Sequence, residues 1–338
     1  MAIYYIGAFP PAYGGVTIKN QNLYEALDRK LELRKVDMNR VKRGDFREML
    51  RLSWAILTGR QFIIGLAGQR NRRVVTKLMY ACKRKAMRRS VMLVMSGIVE
   101  DIIQAGPDYM KKLSTYRRVY LEFPGMARKL EAAGVTNAAV YPNGRPRPGQ
   151  MQSVKMSNDA LRCVFFSLIQ PEKGVDRILE AARNLPDLEF HFYGRVVPEY
   201  QEEFDKAIAS LSNVHYHGLF TGDSEAVYRE LNGYDVLLLP TRCKTEGLPG
   251  ILIEAKIAGV ASVISDINYN REIVEDGVDG LILPEDSVEC LIDALKKLDG
   301  DREALLRMKQ ASQTTAEQYY IDVCAAAVMK DLERGDLA

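Results

Sequence analysis

The sequence predicts an α/β protein made of two parallel-sheet domains, and three observations carry that reading. Short apolar runs alternate with stretches of helical periodicity, the pattern of strands joined by crossover helices. A proline-, glycine- and polar-rich segment interrupts the rhythm near the middle, after which it restarts. The chain has 338 residues, enough for two cores of ordinary size.

The opening "IYYIGAFPPAYGGVTIKNQNLYEAL" predicts a buried strand over Ile3–Ile6, a turn marked by Pro10-Pro11 and Gly14-Gly15, and a helix with Leu23 and Leu27 four apart on one face. "RSVMLVMSG" at 89–97 and "NAAVYPNG" at 137–144 predict two more strands. The segment 143–159, "NGRPRPGQMQSVKMSND", is the linker. Five strand patterns follow at 161–168, 188–194, 213–218, 234–240 and 260–265. The expected domains are 1–148 and 158–320, facing each other across a cleft. The segment 321–338 is expected to be a helix that returns to the first domain, with Tyr320, Cys324 and Ala327 on one side.

Composition narrows the class. Apolar residues make up 47% of the chain, a globular proportion. Five scattered cysteines suggest neither a disulfide framework nor a metal knot, and the chain enters its first strand without a basic leader, so the expected compartment is the cytosol. The net charge of +3 conceals an asymmetry: from Arg51 to Arg89 there are eleven Arg or Lys and no Asp or Glu. These cations are interleaved with Trp54, Ile56 and Leu57, then Phe62, Ile63, Ile64 and Leu66, then Val74, Leu78 and Met79. The pattern predicts an amphipathic surface at 51–89 attracted to an anionic membrane, against the alternative that the apolar residues pack on a sheet and the cations are merely solvated. No nucleic-acid-binding module is present. His191, His215 and His217 lack metal-ligand spacing and read as structural, and there is no G-x-S-x-G nucleophile pattern.

Three constellations could carry chemistry. In "PTRCKTEGLPGILIEAKIAG" a buried strand ends at Pro240, and Gly247, Leu248, Pro249 and Gly250 shape a turn into a helix. Glu246 stands at the helix mouth and Glu254 about one turn inside. Two separated acceptors suit a ligand with hydroxyl groups, although helix-start electrostatics and surface charge would also place carboxylates there. In "QPEKGVDRILEAA", Lys173 precedes a helix start, where it could meet a phosphate or be merely solvated. Gly14-Gly15 permits close approach of a ligand or forms a plain tight turn.

Glu246 and Glu254 in an E-x7-E pattern, with "PEKGVD" at 171–176, the double-glycine loop and "YPNG" at 141–144, resemble the retaining nucleotide-sugar glycosyltransferases of family 4. The resemblance spans nearly the whole chain and is strongest from 161 to 284. It implies the GT-B fold, two Rossmann-like domains across a cleft. The first domain would take the acceptor and the second a nucleoside-diphosphate sugar, with no tightly bound cofactor and no metal. By position it implies that Glu254 holds the donor ribose, that Glu246 lies beside the transferred sugar, and that the backbone from Gly247 to Gly250 contacts sugar and diphosphate. Lys173 would neutralise the diphosphate, with Gly14 and Gly15 near the phosphates and acceptor. Two positions depart from the family pattern. Leu168 stands where a second diphosphate cation is usual, for which Arg195 or Arg242 could substitute, and Ser96 stands where a histidine is common. The expected activity is retaining transfer of a sugar to a glycan or lipid-linked saccharide in cell-surface polysaccharide synthesis, at a cytoplasmic or peripheral inner-membrane location. The alternatives are a silent nucleotide-sugar-binding subunit and an epimerase on the same scaffold.

Overall fold

The computed structural model describes residues 2–11, 14–95, 99–157, 159–244 and 246–333. Ser96 lies outside the described residues. The chain divides into two compact units. The first comprises Met1–Arg147, Thr245–Pro249 and Tyr319–Ala338, and the second Pro148–Lys244 and Gly250–Gln318.

The first unit runs β1 (Ile3–Gly7), α1 (Gly15–Asp28), β2 (Leu33–Asp37), α2 (Met38–Lys42), α3 (Phe46–Thr58), β3 (Phe62–Ala67), α4 (Gln69–Cys82), α5 (Arg84–Met87), β4 (Val91–Met95), α6 (Val99–Gln104), α7 (Pro107–Leu113), β5 (Arg118–Leu121), α8 (Pro124–Ala132) and β6 (Ala138–Val140). Its strands form a parallel sheet in the order β2-β1-β3-β4-β5-β6. The second unit runs β7 (Arg162–Phe166), α9 (Val175–Asn184), β8 (Glu189–Tyr193), α10 (Gln201–Ala209), β9 (Val214–Tyr216), α11 (Ser224–Leu231), β10 (Val236–Leu239), α12 (Gly250–Ala258), β11 (Ala261–Ser265), β12 (Gly280–Leu283), α13 (Val288–Gly300) and α14 (Arg302–Thr315). The order β12-β11-β10-β7-β8-β9, again parallel, is the dinucleotide-fold order 3-2-1-4-5-6 read from the other edge.

α15 (Ile321–Glu333) belongs to the first unit. Cys324, Ala325, Val328 and Leu332 join the core formed by Ile3, Tyr5, Leu23 and Leu27. Asp331 fixes the helix on β5, accepting from Arg118 Nε at 2.8 Å and from the Tyr120 hydroxyl at 2.7 Å. Of the three residues the sequence reading sets on one side, Tyr320 and Cys324 are buried but Ala327 is exposed, because the buried stripe follows Cys324, Val328 and Leu332.

A second correction concerns 51–89. Phe62, Ile63, Ile64 and Leu66 are not surface residues. They form β3, buried between β1 and β4, since a continuous apolar run is what a central parallel strand requires. Met79 is also buried, as is Arg72, whose guanidinium donates to the Leu66 and Met95 carbonyls.

The three histidines form a ladder on β8 and the chain at β9. His191 Nδ1 and His217 Nε2 lie 3.0 Å apart with their rings stacked, and the His215 ring is 4.8 Å from that of His191. Burial depresses the His191 pKa to about 4, aided by Arg162 and the other two imidazoles and opposed by the Glu189 hydrogen bond. His217 is depressed by burial as well. The unfolded chain therefore takes up protons at His191 and His217 near the ordinary histidine value, while in the native chain these two resist protonation there. Stability is full above about pH 6.5 and declines as pH falls toward 4. Urea midpoints should drop over that interval by the equivalent of at most about 3 kcal/mol, and His191→Asn should flatten the decline. A pH-independent midpoint between 7.5 and 4.5 would contradict this.

Candidate functional site

In the second unit, neighbouring β7 and β10 lead to opposite sides of the sheet: α9 returns the chain toward β8, and α12 returns it toward β11. This divergence is the topological switch point, where open α/β sheets leave a crevice beyond their carboxyl ends. Lys173 ends a 3-10 turn, Pro171–Lys173, at the start of that crevice. Gly174 follows with φ 78°, and a Cβ there would fall on the Pro240 carbonyl, so both conformation and close packing demand glycine. The turn is tied to the end of β10: the Glu172 carbonyl accepts from Arg242 N at 2.7 Å and from Thr241 Oγ1 at 3.3 Å.

Arg242 itself forks onto Asp176 at 2.9 and 3.0 Å and also donates to the Pro171 carbonyl. It braces the Lys173 turn through that pair. Arg195 is exposed on the loop after β8, its carbonyl accepting from Ile169 N at 2.9 Å. Leu168 is half-buried just past the end of β7.

α12 begins at Gly250, where the first amides lack intrahelical partners. From Ile251 to Ala258 every residue is buried except Glu254, which is half-buried. The Lys256 ammonium anchors the helix, 2.5 Å from Asp279 and 2.9 Å from Thr315 Oγ1, with both members of the ion pair 2% exposed. Among the described residues no group of three or more His, Cys, Asp or Glu is placed to hold a metal ion.

In the first unit, Gly14 caps α1, its amide donating to Thr17 Oγ1 at 3.0 Å. A methyl group on Gly14 or Gly15 would meet no atom within 4 Å, so packing among the described residues leaves space at both. One turn on, Asn20 staples the carboxyl ends of β1 and β3. Its amide donates to the Ala8 and Gly65 carbonyls, and its oxygen accepts from the Tyr5 hydroxyl at 2.9 Å. A Cβ on Gly65 would collide with Asn20, which explains glycine inside an apolar strand.

The same unit contains a polar cluster that motif reading misses. Buried Lys19, from α1, pairs with buried Glu122, at the end of β5. Burial, and then the charge of Arg145, push the Lys19 pKa well down, while the Glu122 contact favours its charged form. The other Glu122 oxygen accepts from Leu248 N at 3.1 Å. Asn143, of the "YPNG" stretch, donates to the Leu248 carbonyl at 3.3 Å and accepts from Arg145 at 2.6 Å. The Glu246–Pro249 stretch is thus gripped through both polar backbone groups of Leu248. Gly14, Gly15, Glu246, Gly247, Leu248 and Pro249 fall in this unit; Lys173, Arg195, Gly250 and Glu254 fall in the other.

Residues 160–301 match the family profile "Glycosyl transferases group 1". The match covers less than half of the chain. This region contains Lys173, Arg195, Gly250 and Glu254 as well as the Glu246–Pro249 stretch. The matched region sits within a chain whose two α/β units have the fold of GT-B glycosyltransferase structures. A crystal structure of Anabaena Alr3699/HepE in complex with UDP superposes with a TM-score of 0.70 at 14% identity, covering 99% of this chain and 100% of that one. The apo form of the lipopolysaccharide outer core galactosyltransferase WaaB gives 0.68 at 12%, covering 100% and 99%. Sucrose-phosphate synthase from Thermosynechococcus elongatus gives 0.75 at 13%, covering 100% and 99%. At these identities the likeness is one of fold. A curated relative, the exopolysaccharide phosphotransferase SCO2592 of Streptomyces coelicolor, is 40% identical over 87 residues, 25% of this chain and only 9% of the relative's length.

Proposed function

We propose that the chain transfers a hexosyl group from a nucleoside-diphosphate sugar to a glycan or lipid-linked saccharide during polysaccharide synthesis, with retention of configuration and without a metal. The carrying observation is that the Lys173 turn and the start of α12 flank the switch point of a dinucleotide-type sheet, inside the region that matches the group 1 glycosyl transferases. Two similar proteins support this reading: HepE crystallises in complex with UDP-glucose, and SCO2592 is an exopolysaccharide phosphotransferase.

In this reading Glu254 accepts from the ribose hydroxyls, a task suited to a carboxylate on an otherwise buried helix. Glu246 lies beside the sugar, and the backbone from Gly247 to Gly250 lies against diphosphate and sugar: the amides of Gly247, Gly250 and the α12 start donate to their oxygens, while the Leu248 amide is held by Glu122. Gly14 and Gly15 leave room for phosphate or acceptor. Lys173, with Arg195 near the end of β7, stabilises the negative charge that grows on the departing diphosphate, and a phosphate oxygen takes the acceptor proton.

Lys173→Ala should therefore lower donor turnover by about 100-fold or more while leaving affinity for the free nucleoside unchanged. Assays across a panel of nucleoside-diphosphate sugars, with the anomeric configuration of the product read by NMR, check both. Equal losses for nucleoside and nucleotide sugar would remove Lys173 from the role, and an inverted product would refute retention. A second reading is favoured by Leu168 at a cation position and by the engagement of Arg242 with Asp176: a silent donor-binding subunit, which would bind the nucleotide sugar and turn none over.

A further inference from the structure

α3 is built inside out. Of its 13 residues only Glu48 and Ala55 are buried. The inward Glu48 carboxylate accepts from Asp37 N at 2.8 Å, while Phe46, Met49, Leu50, Trp54, Ile56 and Leu57 all face solvent. Phe46 is 70%, Trp54 58% and Leu57 72% exposed. An apolar surface of this size on one helix of about 20 Å marks a place where something docks.

The surroundings name the occupant by charge. Leu50, Trp54 and Leu57 line a groove with Tyr4 and Val36, and its remaining wall carries Arg34, Lys35, Arg47 and Arg51. Beyond the C-terminal end of α3, Lys83 Nζ donates to the Leu57 carbonyl at 2.7 Å. This bond brings alongside the helix a second hollow lined by Arg60, Arg84, Lys85 and Arg89. An apolar strip rimmed by cations is complementary to a surface of anionic headgroups over hydrocarbon. A second copy of the chain seated on the same patch would set one cationic rim against another, which opposes self-association.

We infer that the outward face of α3 is a membrane-docking surface: Phe46, Trp54 and Leu57 enter the headgroup–acyl boundary of an anionic leaflet while Arg47, Arg51, Arg34 and Lys83 meet lipid phosphates. The docking element is thus α3 with the basic hollow beside it, and the buried β3 takes no part. The inference does not depend on the transferase reading.

Trp54 is the only tryptophan in the sequence, so its emission reports on this face alone. The full chain is titrated with vesicles of phosphatidylglycerol and phosphatidylcholine, with pure phosphatidylcholine vesicles, and with buffer at rising protein concentration. Acidic vesicles should shift Trp54 emission to the blue and sediment the protein at low salt, and high salt should reverse both. Leu50→Ser with Leu57→Ser, which keeps the reporter, should weaken partitioning at least about tenfold, and Arg47→Gln should weaken it about fivefold. Urea midpoints confirm that the variants remain folded. No shift with acidic vesicles overturns the inference, and so does equal binding to pure phosphatidylcholine. A vesicle-free, concentration-dependent shift with a dimer in sedimentation overturns it in favour of a second copy.

Discussion

Lys19→Met is expected to cost about 3–5 kcal/mol of stability, because it strands the Glu122 carboxylate in the interior with its cation gone. A partner removed from a buried pair leaves the other charge without compensation, whereas removal of both can be nearly neutral. Lys19→Met combined with Glu122→Leu should therefore recover most of the lost urea midpoint. It should not recover turnover. The Leu248 amide loses the carboxylate that holds it at 3.1 Å, so the Glu246–Pro249 stretch is no longer fixed on that side. A role confined to folding predicts that stability and turnover return together; a role in holding this stretch predicts that they separate. A Lys19→Met midpoint equal to that of the wild type would contradict the assigned burial energetics.

How much of this was legible in the sequence depends on which residues announce their surroundings. β1, β4 and β6 to β11 read directly, since parallel strands inside a sheet are short apolar runs closed by turn residues. β2, "LRKVD", does not, because Arg34 and Lys35 interrupt its buried residues at the sheet edge and its charged residues resemble a loop. β3 is disguised by its company: cations on both sides make a core strand resemble part of a surface. α3 is the converse case. Trp54, Ile56 and Leu57 stand out beside the cations, but Phe46, Met49 and Leu50 precede the acid-free run, and periodicity says only that apolar residues share a region of helix, not that the helix turns them outward. The motif-bearing residues Lys173, Gly174 and Glu254 were visible because turn chemistry and spacing mark them. Lys19 and Glu122 were not. A lysine at a helical position reads as a solvated charge, and the carboxylate that pairs with it is remote in the chain. Only the fold brings the two together, which is why the grip on Leu248 has no sequence signature.

The central claim, a nucleotide-sugar site at the switch point of the second unit, stands or falls with Glu254. Buried α12 presents a single half-buried charge between Ile251 and Ala258, and a ribose hydroxyl bonded to it would lose about 1.5–3 kcal/mol on neutralisation. The direct measurement is calorimetric titration of uridine, adenosine and guanosine diphosphates into the wild-type chain and into Glu254→Gln. The account predicts that at least one nucleotide binds the wild type, and that the variant, with an unchanged unfolding midpoint, binds it roughly 10- to 150-fold more weakly. A wild-type chain that binds none of them, or a variant with undiminished affinity, would contradict it.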